Sequence, residues 1–374
     1  MRSTAFAVVT GGGTSGHVLP ALAIADALVA KGHRPDEIVY IGAQRGIETR
    51  LLPPTPYPHH FLDVIGLQRR LSARNIASNL TFPFKLIRAI SRSRRLLREL
   101  RPAVVVSVGG YASFPATFAA RLRRIPVVVV SYDRLPGLAS RVSARFATVC
   151  AVAFEGSKLP RAHHTGAPVR RELIELDRAS ARAASRAELG LPMDRFVVAV
   201  FGGSLGSKVL NDAVVHMVDT LGDHADIAVR HVVGDRFLAD AAAERSGDRG
   251  IMYTVVGYED RMVKVIAAAD LMITRAGAST IAELSTAGIP AIIVPWAGSA
   301  DDHQSDNARI LSDVGAAIVI AESDLSGTGL AEVVNGLATD PDALASMTAA
   351  SYAAGAAHRS GRLAALIDEI GTRR

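Results

Sequence analysis

Twice along this chain a β-branched run breaks into a glycine-rich loop that opens a helical pattern. Residues 6–10 run into Gly11-Gly12-Gly13-Thr14-Ser15-Gly16-His17 and then the helical residues 19–28; residues 196–201 run into Gly202-Gly203-Ser204-Leu205-Gly206-Ser207 and then Val209-Leu210-Asn211. Each loop starts its own series of short apolar runs, at 38–41, 104–108, 127–130 and 148–153 in the first and at 228–233, 252–256, 271–274 and 291–294 in the second. Strand-length runs alternating with helical patterns predict α/β domains built on doubly wound parallel sheets. A chain of 374 residues, 49% of them hydrophobic, is long enough for two such cores. Ligands of open α/β sheets bind beyond the carboxyl ends of the strands, so the expectation is two Rossmann-like domains facing a cleft, with one substrate on each side. The boundaries read as 1–165, 166–340 and a helical segment, 341–374, that crosses back to the first domain.

Charge divides the chain at the same place. Up to Arg170 there are 24 Lys and Arg against 8 Asp and Glu, and beyond it 18 against 28. The loop-like stretch 163–170 coincides with this reversal and is read as the hinge. The basic excess is concentrated in 68–101, where Arg69, Arg70, Arg74, Lys85, Arg88, Arg92, Arg94, Arg95, Arg98 and Arg101 meet only Glu99. Phe82, Leu86, Ile90, Leu97 and Leu100 recur there at helical spacing, which predicts an amphipathic basic helix. Such a face suits an anionic lipid surface, at about 1 kcal/mol per basic residue near the membrane; the alternative is a solvated face above a core stripe. Few aromatics interleave the charges and no nucleic-acid motif is present, so nucleic acid is not expected as a partner.

Several classes are excluded early. The single cysteine, Cys150, rules out an intramolecular disulfide or a cysteine-based zinc site and reads as an inert buried thiol in a reducing compartment. Gly11 interrupts the first apolar run, so the N-terminus does not read as a signal peptide. The apolar runs, such as 127–130 and 289–294, are strand length, far shorter than the roughly 18 residues of a spanning helix, so the expectation is a soluble or peripheral protein.

The first loop satisfies G-x-G-x-x-G through Gly11, Gly13 and Gly16. A nicotinamide dehydrogenase also needs an acidic residue at the end of its second strand, where this chain has Gly42 and Ala43. Glycines let backbone N–H groups approach an anion at a helix N-terminus, and His17 adds a group that exchanges a proton near neutral pH. A third loop, Arg275-Ala276-Gly277-Ala278-Ser279-Thr280, opens a helix carrying Glu283. The N–H groups of Ala278, Ser279 and Thr280 suit a diphosphate, and Glu283 a ribose diol; equally, Thr280-Ile281-Ala282-Glu283 reads as a capping box. The polar cluster Asp301-Asp302-His303-Gln304-Ser305-Asp306-Asn307 suits sugar hydroxyls and lacks a recognisable metal-ligand spacing.

Taken in order, GGGTSGHVLPALAIA from Gly11, VGGYASFPA around Tyr111, PVR from Pro168, GGSLGSKVLN from Gly202, RAGASTIAEL from Arg275 and DDHQSDNA from Asp301 resemble the MurG family of bacterial peptidoglycan glycosyltransferases, of GT-B architecture. The resemblance implies an inverting transfer of N-acetylglucosamine from UDP-N-acetylglucosamine to lipid I, the undecaprenyl-pyrophosphoryl acceptor, at the cytoplasmic face of the cell membrane, with no cofactor. It implies a donor side made by Thr14, Ser15, Gly16, Arg170, Ser204, Ala278, Ser279, Thr280, Glu283 and Gln304. Glu283 is then expected on the uridine ribose and Gln304 on the sugar. Gly13, Tyr111 and Asn211 fall on the acceptor side, and His17 is the candidate base. The alternatives are a paralogous UDP-sugar transferase with another lipid or glycoside acceptor, or a UDP-sugar 2-epimerase, for which the basic helix has no use.

One stretch departs from the family. Where its members usually carry His-Glu-Gln-Asn before Pro-Gly, this chain has Val130-Ser131-Tyr132-Asp133 before Pro136-Gly137. Asp133 replaces an amide with an isosteric carboxylate and is a second candidate base. Ala167 stands for the Asn before Pro-Val-Arg, and Ser15 for a loop glycine.

Overall fold

A computed structural model describes residues 4–66, 73–203, 205–222, 224–243, 250–299 and 302–373. The chain divides into two compact units, one formed by the chain up to Arg171 and again from Ala357 onward, the other by Glu172–Ala356.

The first unit holds a seven-stranded parallel sheet of β1 (Ala7–Thr10), β2 (Ile38–Ala43), β3 (His59–Leu62), β4 (Val104–Ser107), β5 (Val127–Ser131), β6 (Val149–Val152) and β7 (Ala162–His164), in the order β3-β2-β1-β4-β5-β6-β7. The five inner strands β1, β2, β4, β5 and β6 are buried residue by residue, which is why they read as unbroken apolar runs. Five helices follow their strands: α1 (Ser15–Ala30), α2 (Glu48–Leu51), α3 (Ala73–Leu100), α4 (Phe114–Leu122) and α5 (Leu138–Ala144). The hinge reading of 163–170 needs correcting at its start. His163 and His164 pair with Ala151 and Val152 as part of the edge strand β7, a loop-like sequence held extended by the ladder of β6.

The basic segment forms α3. Leu97 is fully buried and Leu96 and Leu100 pack on the core, whereas Phe84 and Ile87 stand 77% and 67% exposed beside Lys85 and Arg88. Arg69 and Arg70 lie outside the described residues. The final helix, Arg362–Thr372, packs on α1 and β4, and its Gly371 lies so close to the Phe6 ring that a Cβ there would come within 2.6 Å of it. Gly166 (φ +82°) faces the Ala357 carbonyl, where a Cβ would lie 2.3 Å away, and the Ala167 N–H donates to His358 Nδ1 at 2.9 Å.

The second unit holds a six-stranded parallel sheet of β8 (Phe196–Phe201), β9 (Ile227–Val232), β10 (Met252–Val256), β11 (Leu271–Thr274), β12 (Ala291–Ile293) and β13 (Ala317–Val319), in the order β10-β9-β8-β11-β12-β13. Its outer layer is tied in by Arg186, 1% exposed, which donates to the carbonyls of Ala268, Pro192, Met193 and Arg195 and to Asp270 Oδ2 at 2.7 Å.

Candidate functional site

In the first unit the candidate residues gather at the carboxyl ends of β1, β4 and β5. Gly12 (φ +146°) and Gly13 (φ +99°) turn the chain out of β1, and Thr14, extended, caps α1, whose first residue is Ser15. The turn directs the Gly13 N–H inward, to Glu48 Oε1 at 2.8 Å, so this donor is not offered to an anion as the loop's sequence suggested. Tyr111 covers the same loop: a Cβ on Gly13 would lie 2.6 Å from its ring, and its hydroxyl donates to the Arg45 carbonyl at 3.3 Å. Burial and the Glu48 charge both push the Tyr111 phenol up.

His17 lies in the first turn of α1 with Nδ1 3.0 Å from Thr14 Oγ1. The other edge of the ring faces the Gly109 backbone, where an added Cβ would come within 3.6 Å of Nε2. Burial holds its pKa below the ordinary imidazole value, against the raising pull of the Asp133 and Glu48 carboxylates, which leaves the ring neutral and able to take a proton at pH 7. The departing segment folds directly against it. Tyr132 is buried, with its ring centroid 6.4 Å from that of His17, and its hydroxyl donates to the Gly16 carbonyl at 2.5 Å. Tyr132 thus bridges the end of β5 to the start of α1, an anchor that sequence reading missed. Asp133 is half-buried.

His17, Tyr132 and Asp133 line a cavity of about 600 Å³ within the first unit. Phe82, Leu86, Phe114, Val130 and Leu138 give it an apolar wall, and His17, Ser131, Asp133 and Lys85 its polar points. Arg170 is half-buried in the loop after β7.

In the second unit the candidates gather at the ends of β8, β11 and β12. The helix Ala278–Ala287 starts on Gly277 with no side-chain cap, so Thr280 lies inside its first turn and the capping box read in the sequence does not form. Its first N–H groups, at Ala278, Ser279 and Thr280, are therefore oriented outward from a helix N-terminus, with half-buried Glu283 one turn on. Gln304 Oε1 accepts from the N–H groups of Ala276 (3.1 Å) and Trp296 (2.9 Å). That fixes the amide so that its NH₂ is the end left for a ligand. Asn307 Nδ2 donates to the Ala276 carbonyl, fastening the same helix, His303–Ser312, to the loop after β11. Arg275, unremarked in the sequence except as the first residue of its loop, is buried and spans the strand ends, donating to the Val294 and Pro295 carbonyls, to Glu322 and, at 2.6 Å, to Ser207 Oγ.

Asn211 is placed differently from its neighbours. It is 5% exposed, with Nδ2 donating to the Val233 carbonyl at 2.9 Å and Oδ1 3.1 Å from His231 Nε2, so its amide braces the sheet. Ser204 and Asp301 lie outside the described residues. Among the described residues no group of three His, Cys, Asp or Glu side chains is gathered as a metal ion would need. Cys150 is buried in β6, and burial pushes its thiol up to about 11.

Two doubly wound parallel-sheet units, each with a glycine loop at its first strand, define a nucleotide-sugar enzyme of the GT-B fold class. Residues 7–152 match the glycosyltransferase family 28 N-terminal domain and residues 197–363 its C-terminal domain. The UDP-N-acetylglucosamine–N-acetylmuramyl-(pentapeptide) pyrophosphoryl-undecaprenol N-acetylglucosamine transferase of Desulforudis audaxviator is 39% identical over 363 residues, 93% of this chain and 94% of that one. The crystal structure of Acinetobacter baumannii MurG superposes with a TM-score of 0.74 at 27% identity, covering 98% of this chain and 99% of that one. A UDP-GlcNAc 2-epimerase from Neisseria meningitidis shares the fold at a TM-score of 0.67 and 13% identity, with 99% of this chain and 100% of that one covered, so the fold alone does not separate transferase from epimerase. Sequence identity over nearly the whole length does: the chain belongs to the N-acetylmuramyl-(pentapeptide) pyrophosphoryl-undecaprenol N-acetylglucosamine transferase family.

Proposed function

We propose that the protein transfers N-acetylglucosamine from UDP-N-acetylglucosamine to lipid I with inversion at the anomeric carbon. The observation that carries this reading is the placement of a neutral, Thr14-held His17 in the lining of a largely apolar cavity. The acceptor's sugar binds beside His17, and its lipid-proximal part lies along the apolar side chains that α3 gives to the cavity. His17 Nε2 takes the proton of the acceptor hydroxyl. The oxygen attacks the anomeric carbon, and the bond to UDP breaks with its electron pair leaving on the diphosphate. In the second unit the N–H groups of Ala278, Ser279 and Thr280 hold that diphosphate, with Arg170 and Ser204 as further donor-side contacts. Glu283 accepts from the ribose hydroxyls, and the Gln304 NH₂ donates to the sugar.

Single-turnover transfer from radiolabelled UDP-N-acetylglucosamine to a lipid I analogue, beside an acceptor-free control, tests the reading. Acceptor-dependent disaccharide is expected; donor binding without transfer would sink it. A second reading, transfer to another lipid or glycoside acceptor, is favoured by one observation. Ser131 and Asp133, from the segment that departs from the family, line the acceptor cavity. Asp133→Asn separates the roles: a loss of turnover with binding intact supports Asp133 as auxiliary base, and parent turnover removes it.

Among the described residues no helix is long and apolar enough to cross a membrane. The protein works as a peripheral enzyme on the anionic cytoplasmic face of the bacterial membrane, where exposed Phe84 and Ile87 insert between the basic side chains of α3. Co-sedimentation with anionic liposomes that weakens in salt is the expected result; binding indifferent to salt would argue against the electrostatic part.

A further inference from the structure

Glu48 is a buried acidic side chain that the reaction above leaves unused. It is fully buried at the start of α2, in a half of the chain dominated by arginine. Oε1 accepts the Gly13 N–H at 2.8 Å and the Ala43 N–H at 3.2 Å, tying the loop after β1 to the end of β2. Oε2 is buried and has no hydrogen-bond partner. The backbone is shaped around this carboxylate. A Cβ on Gly12 would lie 1.9 Å from Oε1, and one on Gly46 2.1 Å from Oε2.

Two N–H groups meeting one oxygen need no negative charge, and a buried carboxylate with an unmatched oxygen is costly to keep. Its retention calls for a role in which the charge itself is used. The loop it holds supplies Thr14, and Thr14 orients His17. We propose that Glu48 is a positioning residue for the transfer: through Gly13 it keeps Thr14 against His17 Nδ1, and its fixed charge stabilises the imidazolium formed when His17 takes the acceptor's proton. The inference rests on the reading of His17 as the base.

The surroundings of His17 agree with this. From the start of α1 it meets the Thr14 hydroxyl and from the end of β5 the Tyr132 ring, while the Asp133 carboxylate after β5 and the Glu48 carboxylate on α2 act on it through their charge. Both carboxylates raise the basicity that burial lowers. Asp133 is half-buried, so water screens its charge in a way that it does not screen that of Glu48.

The test compares Glu48→Gln, which keeps an acceptor for Gly13 and removes the charge, with Glu48→Asp, which keeps the charge and withdraws the acceptor. The His17 ring is titrated by NMR in the full-length protein, its signal assigned by loss in His17→Ala, and kcat and KM are followed against pH. In Glu48→Gln the His17 titration should move to lower pH by roughly half a unit or more, with the acid limb of kcat/KM moving by the same interval. Plateau kcat should fall about tenfold or more while the donor KM stays within about twofold. Glu48→Asp should hold the titration near that of the parent and lower kcat alone. Identical behaviour of the two variants, or a folded Glu48→Gln protein with an unmoved His17 titration, would overturn the role of the charge. A titration that moves with no change in turnover would overturn the proposal through the reading of His17 beneath it.

Discussion

Thr14 Oγ1 and His17 Nδ1 lie 3.0 Å apart across the first turn of α1, which leaves Nε2 as the ring nitrogen that faces Gly109. For Nε2 to take a proton it must enter the reaction without one, so Nδ1 carries the hydrogen and donates it to Thr14. Thr14→Val removes that acceptor while keeping the shape. Turnover should fall about 10- to 100-fold, the worth of one hydrogen bond to a group gaining charge. Thr14→Ser should keep most of it, and parent kcat in Thr14→Val would sink the tautomer assignment.

Glu283 and Gln304 act on the donor in this account, so their loss should appear chiefly in KM. Glu283→Ala should raise the KM for UDP-N-acetylglucosamine by roughly 10- to 100-fold, as expected for a charge-assisted hydrogen bond, with a smaller change in kcat. Titration calorimetry with UDP alone checks it: UDP affinity equal to that of the parent would take Glu283 off the ribose.

Asp270 should be among the costliest single positions for stability. Its Oδ2 accepts from Arg186 at 2.7 Å and from the Val197 N–H at 2.8 Å, and its Oδ1 pairs with Arg182 at 2.6 Å. Asp270→Ala strands a guanidinium that is 1% exposed, at a cost of about 3–5 kcal/mol. Urea unfolding should show that loss in the transition of the second unit; a midpoint near that of the parent would contradict it.

His231 makes the same unit sensitive to acid. Asn211 Oδ1 can only accept, so His231 Nε2 carries the hydrogen and Nδ1 accepts from the Tyr253 hydroxyl at 2.8 Å. Burial depresses its pKa to about 3, below the ordinary value of 6.5 that it regains on unfolding. The unfolded chain then binds the extra proton, so this contribution is complete above pH 6.5 and is lost progressively down to about pH 3. Between pH 7.5 and 5 the loss is about 2 kcal/mol. His358 adds the same dependence to the first unit, with burial lowering its pKa to about 4. Thermal unfolding of His231→Gln at these two pH values should show a shallower dependence than the parent; an unchanged slope would remove His231 as its source.

The central strands were legible because parallel strands buried on both faces leave continuous apolar runs, as Val104 to Val106 and Val127 to Val130 do. The strands that escaped, β3, β7 and β13, lie at sheet edges, where a sequence such as Ala162-His163-His164 can stay partly solvated and lose its pattern. His17 and Thr14 were legible as a loop followed by a helix start. Glu48 and Tyr132 were not, because their importance lies in what they touch across 35 and 116 positions of sequence. The only local signals were a lone acid beside a glycine, Gly46-Ile47-Glu48, and an aromatic where the family keeps an amide.

The return of the chain to its first unit at Ala357 sets an order of synthesis. The face of β4 and α1 that the helix Arg362–Thr372 covers is made early, yet its cover emerges from the ribosome only after all of Glu172–Ala356. At 5–20 residues per second that interval is about ten to forty seconds. During it Phe6, which closes onto Gly371, has no lid, while the second unit already has every residue that it needs. The half of the molecule that begins first is therefore the half that finishes last.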